Sequence, residues 1–242
     1  MRTLSFKQFK HGVVKGLPIF FGYIPVSFTF GIMAVQSGLP VWLAIFISVS
    51  NVTSAGQFAG TSLIAAGAGY FEIALTTLVI NIRYMLMSVA LSQRIDEKVS
   101  LPSRLLIGYG ITDEIFAIAI TETEEVTPSY MYGLIAVPVF GWTLGTALGA
   151  LANGLLPASL SDAMGIALYA MFIAIIIPPA KKSKAVLLAI VIAVLVMCVF
   201  RVVKPFAVIS SGFQVIIATI VAAGLMAWLA PVKEKQETGG AS

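Results

Sequence analysis

Four groups of residues have side chains or backbone that could do chemistry, and all four lie inside long apolar runs. The first is Asn81 and Arg83, in Ile80-Asn81-Ile82-Arg83-Tyr84. A guanidinium can clamp a carboxylate through two parallel hydrogen bonds. The second is Asp113 and Glu114, in Gly108-Tyr109-Gly110-Ile111-Thr112-Asp113-Glu114-Ile115-Phe116. Either carboxylate can hold an ammonium group, a guanidinium or a proton. Neighbouring helical residues diverge by about 100°, so these two cannot point the same way. One is expected to face a partner and the other a cavity or backbone. The third group is uncharged: Asn51, Ser54 and Gln57, in Ser50-Asn51-Val52-Thr53-Ser54-Ala55-Gly56-Gln57. The fourth is a set of backbone breakers, Pro18, Gly22 and Pro25. Pro25 lacks an N–H, so the carbonyl near Phe21 is expected to be free to bind something polar.

Other chemistry has no support in the sequence. It contains no His/Cys/carboxylate metal spacing, no phosphate loop and no nucleophile elbow. We therefore expect neither an enzyme nor a metal or cofactor protein. The single cysteine, Cys198, cannot form an intramolecular disulfide and reads as a small apolar side chain. The one histidine, His11, lies among Lys7, Lys10 and Lys15 and reads as part of a solvated basic face. Glu122, Glu124 and Glu125 read as a wet loop. The net charge of +4 comes from cations dispersed in short loops and tails, so it does not point to nucleic acid.

The elements that must position these residues are membrane helices. Of 242 residues 59% are hydrophobic and only 11% charged, with mean hydropathy +0.98. A soluble domain carries about 25% charged residues. A chain this poor in charge needs lipid as its solvent. No series of alternating segments suggests a barrel. The expected fold is an all-α polytopic bundle of seven or eight hydrophobic segments, near 17–36, 41–68, 70–93, 102–121, 130–152, 158–180, 184–203 and 206–230. Residues 1–16 form a basic cytoplasmic segment, 17–230 one transmembrane domain, and 231–242 a polar tail. The first segment is long enough to span, which argues against a cleaved signal peptide.

The second segment is too long for a simple span. As one helix it would measure about 42 Å, against a hydrocarbon core of about 30 Å. Backbone that leaves the helix at that depth must face protein or a wet cavity. Two half-helices meeting near Ser54–Gly56 are expected, with a long tilted helix as the alternative. If this segment crosses there are eight spans, and if it re-enters there are seven. Either count places nine Lys and Arg inside and five outside, so the positive-inside rule does not choose. Both put the N-terminus in the cytoplasm. Arg83 and Asp113 fall near mid-span in segments three and four, which are expected to pack antiparallel and bring at least one acid to the guanidinium.

A faint internal echo relates Phe30-Gly31-Ile32-Met33-Ala34, before Gly38-Leu39-Pro40, to Leu148-Gly149-Ala150-Leu151-Ala152, before Gly154-Leu155-Leu156-Pro157. Corresponding breaks in two halves suggest a repeat-built transporter. Gly141, Thr143, Gly145 and Gly149 make a small-residue face that lets helices approach closely, and a separate small membrane protein is expected to pack on this subunit.

Gly16-Leu17-Pro18-Ile19, Gly22-Tyr23-Ile24-Pro25, Phe28-Thr29-Phe30-Gly31 and Ser54-Ala55-Gly56-Gln57-Phe58 resemble the start of the AzlC family. So do Asn81-Ile82-Arg83-Tyr84 with Leu86-Met87-Ser88, and Thr112-Asp113-Glu114. The resemblance runs from about residue 12 to 230. The family more often has His where this chain has Tyr84, so no titrating histidine is expected there. The resemblance implies the large subunit of a bacterial branched-chain amino acid exporter in the inner membrane. It also implies a small hydrophobic AzlD-type partner and a substrate such as leucine, isoleucine, valine or methionine. The expected function is a secondary exporter, coupled to protons through Asp113 or Glu114. The substrate pathway would be lined by Pro18, Gly22, Pro25, Asn51, Ser54, Gln57, Asn81 and Arg83. The alternative is a channel or a non-transporting assembly subunit.

Overall fold

The computed structural model describes residues 5–122, 126–155, 173 and 176–230. These residues are helices and their connections, with no strand among them. Two compact units are present, residues 1–171 and 172–242. The first contains α1 (Phe6–Gln36), α2 (Val41–Ser50), α3 (Ala55–Ala65), α4 (Tyr70–Ser92), α5 (Leu101–Tyr109), α6 (Asp113–Thr121) and α7 (Pro128–Ala152). The second contains α8 (Lys184–Val202), a 3₁₀ turn (Lys204–Val208) and α9 (Ser211–Leu229). Among the described residues five helices are long and apolar enough to cross a membrane: α1, α4, α7, α8 and α9. The sixth hydrophobic segment, near 158–180, falls largely outside the described residues.

The first unit is built on α1 and α7. Their glycines alternate across the contact. A Cβ on Gly12 would strike the Tyr130 carbonyl, on Gly16 the Leu134 carbonyl, and on Gly31 the Thr146 carbonyl. In return, Gly133 meets the Phe9 carbonyl, Gly145 the Ile24 carbonyl and Gly149 the Phe28 carbonyl. The numbers rise together along both helices, so α1 and α7 run parallel. Without side chains at these points the backbones approach closely, and packing contact then replaces the hydrophobic drive that lipid does not supply. Gly141, Gly145 and Gly149 are therefore covered by α1, and their face is not open to a separate subunit. The two echoing stretches lie side by side at the same end of the pair. The chain just beyond the second of them, residues 156–172, lies outside the described residues.

At the other end, Lys7, Lys10, His11 and Lys15 decorate the start of α1, here called the basic end. At 31 residues α1 is about 46 Å long, more than a hydrocarbon core needs, and its first turns extend beyond it. Ser5 caps it and is joined to α7 by a bond from its N–H to Ser129 Oγ, 3.0 Å. Thr127, the N-cap of α7, donates to Gln8 Oε1 at 2.9 Å.

Segments two and four are both hairpins. In segment two the helix stops after Ser50 and resumes at Ala55. Gln57 Nε2 donates to Ser48 Oγ at 2.6 Å, a contact that a straight helix would hold more than about 10 Å apart along its axis. Gly56 lies on Asn81 and Gly60 near Thr77, so α3 runs antiparallel to α4. Segment two thus enters from the end opposite the basic one and returns to it. Segment four does the reverse. Arg94, just after α4, donates to the carbonyls of Ile120 (3.0 Å) and Glu122 (2.7 Å), at the end of α6. Thr112, at the start of α6, lies at mid-height beside Tyr23. Segment four therefore enters from the basic end, turns at Gly110–Thr112 and returns.

This corrects the expected crossing of segment four. Its 20 residues would suffice for a span, but Gly110 ends α5 and Thr112 caps a new helix, accepting from Ile115 N at 3.3 Å. Arg83 thus meets Asp113 across α6, which runs parallel to α4, and not across an antiparallel span. Pro18 and Pro25, which read as backbone breakers, do not interrupt the first segment: α1 continues through both. Proline's fixed φ suits a helix, and each costs α1 one backbone bond without ending it.

In the second unit α8 and α9 are joined by the 3₁₀ turn, where the Phe200 and Phe206 rings meet edge-on at 5.9 Å. Cys198 is exposed on α8.

Candidate functional site

The two hairpins meet at mid-height. Segment four, which enters from the basic end, is the inner hairpin, and segment two is the outer one. Tyr109, at the turn of the inner hairpin, donates its hydroxyl to the Val49 carbonyl of the outer one. Val52 of the outer tip joins Ile107, Ile111 and Ile115 of the inner hairpin in one buried apolar cluster. Two aromatic side chains from the α1/α7 pair hold the tips. Tyr23 Oη lies 2.7 Å from Thr112 Oγ1 and 2.6 Å from Glu114 Oε2. Trp142 Nε1 donates to Gln57 Oε1 at 2.9 Å. The two rings touch edge-on, 5.1 Å between centroids. Sequence reasoning misses both aromatics, because an isolated aromatic in an apolar helix has no pattern to distinguish it.

Ser54 occupies the outer tip with φ 46°, a left-handed conformation that non-glycine residues seldom adopt. Helix α3 starts at the next residue, so Gly56 and Gln57 are helical. Gly56 is needed for a different reason: a Cβ there would come within 2.5 Å of the Asn81 amide. Gln57 is fully buried, its amide held by Trp142 and Ser48, and Ser48 Oγ is 2.7 Å from Thr146 Oγ1. Asn51 Oδ1 accepts from Thr53 Oγ1 at 2.8 Å.

At the inner tip Arg83 Nη2 is 2.8 Å from Asp113 Oδ2. The guanidinium also donates to Tyr84 Oη at 3.2 Å and lies over that ring. Asp113 and Glu114, the first two residues of α6, diverge as adjacent helical positions must. Asp113 takes the arginine and Glu114 takes Tyr23. Acidic groups here also suit the positive end of the helix dipole.

A pocket of 540 Å³ lies between α2, α3 and α4. Its apolar lining includes Ile47, Ile64, Ile73 and Leu78, and its polar lining Ser50, Asn51, Gln57, Thr61, Thr77 and Asn81. Among the described residues no charged side chain lines it. The structure thus brings Asn51, Gln57 and Asn81 to one cavity, and Arg83, Asp113 and Glu114 to a second cluster at the inner tip. It does not bring Pro18, Gly22 and Pro25 to either. They lie on one exposed stripe of α1, while Tyr23 and Ser27 face inward. The reason is helical geometry: positions 18, 22 and 25 share a face, and the tips meet the opposite one.

The basic end holds a further cluster. Glu122 is buried, against the expectation of a wet loop. Its Oε2 lies 3.2 Å from His11 Nε2, 3.1 Å from Tyr130 Oη and 3.7 Å from Lys15 Nζ. His11 is accordingly half-buried and paired, not simply solvated. Glu124 and Glu125 lie outside the described residues.

Comparison with known proteins identifies the family. Residues 18–156 match the family model for AzlC protein. The inner membrane protein YgaZ of Escherichia coli is 30% identical over 184 residues, covering 73% of this chain and 75% of YgaZ. A membrane protein of Archaeoglobus fulgidus is 31% identical over 176 residues, covering 72% and 77%. One from Helicobacter pylori J99 is 25% identical over 206 residues, covering 80% and 86%. No solved structure matches. With more than half of its length matched and its membrane helices in place, the chain is a polytopic membrane protein that belongs to the AzlC family.

Proposed function

We propose that this chain is a secondary transporter that exports hydrophobic, branched-chain amino acids across the bacterial inner membrane. The observation that carries this is the pair of opposed hairpins meeting tip to tip at mid-height. Each hairpin leads from one face to the same central layer of polar side chains. Movement of one hairpin opens that layer to one side while the other stays closed, which is what alternating access requires. An amino-acid zwitterion needs groups for two charges and a dry pocket for its side chain. Uncharged polar residues, helix ends and the aliphatic pocket wall supply these.

The basic end faces the cytoplasm. Lys7, Lys10, Lys15, Arg94, Lys98 and Arg104 belong to that end, and the connections at the other end, 37–40 and 66–69, carry no Lys or Arg. Energy comes from protons, carried by Asp113 or Glu114. A small hydrophobic AzlD-type subunit completes the permease. It docks elsewhere than on Gly141, Gly145 and Gly149, which α1 occupies.

Deleting the gene should make cells sensitive to leucine-containing dipeptides and raise retained leucine. Restored resistance on re-expression is expected. Unchanged leucine retention in the deletion strain would contradict export. Unitary conductance of the purified protein would favour a channel.

A further inference from the structure

We infer that the 540 Å³ pocket between α2, α3 and α4 is the place where the substrate binds. This rests on the transporter reading and adds where the substrate lies and which side chains meet it.

Three independent features support the assignment. The first is unfinished hydrogen bonding. Thr61 is 1% exposed and Asn81 is partly buried, and both line the pocket. Thr61 Oγ1 and Asn81 Oδ1 are buried without a hydrogen-bond partner among the described residues. An unmet buried polar atom costs about 1–3 kcal/mol, so native chains seldom retain one without a use. By contrast Gln57, on the same wall, is fully bonded to Trp142 and Ser48 and serves as scaffold.

The second feature is polarity. The break at Asn51–Ser54 sets the carbonyl end of α2 beside the N–H end of α3. Ser50 and Asn51 line the pocket from the first end, Gln57 from the second. Opposed helix ends of this kind suit an ammonium and a carboxylate together. Asn81 Oδ1 adds an acceptor and the Thr61 hydroxyl a donor for the two charged groups.

The third feature is the rest of the lining. Ile47, Ile64, Ile73 and Leu78 offer an aliphatic wall without aromatic or charged groups. A lysine or glutamate side chain would enter unpaired, at the cost of burying a charge. A leucine or valine side chain would not.

The test uses the full chain purified in detergent, with binding of tritiated leucine and thermal stability read together. Thr61→Val keeps the shape and removes the hydroxyl. Because that hydroxyl has no partner among the described residues, stability should hold while leucine affinity falls about tenfold. Thr61→Ser should stay near wild type. Ile73→Ala should improve competition by phenylalanine relative to leucine. Neither lysine nor glutamate should compete in the wild type.

The pocket assignment is overturned if Thr61→Val and Asn81→Leu both bind leucine at wild-type affinity. It is also overturned if lysine or glutamate competes as well as leucine, or if wild-type protein binds no leucine. Leucine binding without efflux in cells overturns the exporter reading and leaves the pocket. Efflux that depends on the chain but ignores both pocket variants overturns the pocket and leaves the exporter.

Discussion

Tyr23 and Trp142 touch edge-on at 5.1 Å, and each holds one of the two opposed hairpins. Tyr23 reaches the inner tip at Thr112 and Glu114, and Trp142 reaches the outer tip at Gln57. The tips therefore share one support, carried on the two helices that pack most closely. Trp142→Phe keeps a ring and removes the donor, leaving Gln57 Oε1 buried and unmet. Stability in detergent should fall by about 1–2 kcal/mol. Adding Gln57→Leu should recover most of the loss. Additive losses in that double variant would mean the bond does not matter.

Arg83 and Asp113 should behave as a pair. Arg83→Leu strands Asp113 at membrane depth and should lower membrane expression several-fold. Arg83→Leu with Asp113→Leu should restore expression but not export. Arg83→Leu with Glu114→Leu should restore neither, because Glu114 is held by Tyr23. Equal rescue by both acids would remove the distinction between them. Quantitative blots of membrane fractions, alongside leucine efflux, read this directly.

Glycine substitutions should divide sharply. A Cβ on Gly149 would overlap the Phe28 backbone, whereas one on Gly22 meets nothing within 4 Å. Gly149→Ala should abolish the monodisperse peak in size-exclusion chromatography. Gly22→Ala should leave it intact, with stability equal to or slightly above wild type. The same result for both would contradict the parallel α1/α7 pair.

The hairpin reading of segment two makes a sidedness prediction. In a Cys198→Ala background, cysteines at Ser37 and Ala68 should both react with an impermeant thiol reagent from outside intact cells. A cysteine at Lys98 should react only after the membrane is opened. Labelling of residues 37 and 68 from opposite sides would show that the segment crosses.

Length makes segment two legible: its apolar run with a polar middle does not fit one straight span. The pairing of Arg83 with an acid of segment four is legible from the cost of an isolated intramembrane charge. Segment four itself misleads, because its 20 residues satisfy the length criterion and the Gly110–Thr112 turn costs no extra chain. Pro18, Gly22 and Pro25 look like breakers, yet they lie on the outer stripe of α1. What gives α1 its partner is the glycine spacing at 12, 16 and 31, matched by 133, 145 and 149. The matching halves lie far apart in the chain, and neither half signals the match alone. Glu122 looks solvated beside Glu124 and Glu125. Its burial depends on His11, Lys15 and Tyr130 converging from α1 and α7, which only the folded pair brings about.

Counterflow in proteoliposomes tests the transporter reading most directly. The full chain, reconstituted with its small subunit and loaded with unlabelled leucine, should transiently accumulate external tritiated leucine. Accumulation should saturate, and internal lysine should not replace leucine as the driving species. Arg83→Leu paired with Asp113→Leu should be inserted yet inactive. Equilibration of label without overshoot, independent of internal leucine, would contradict alternating access and leave a passive pore or no pathway.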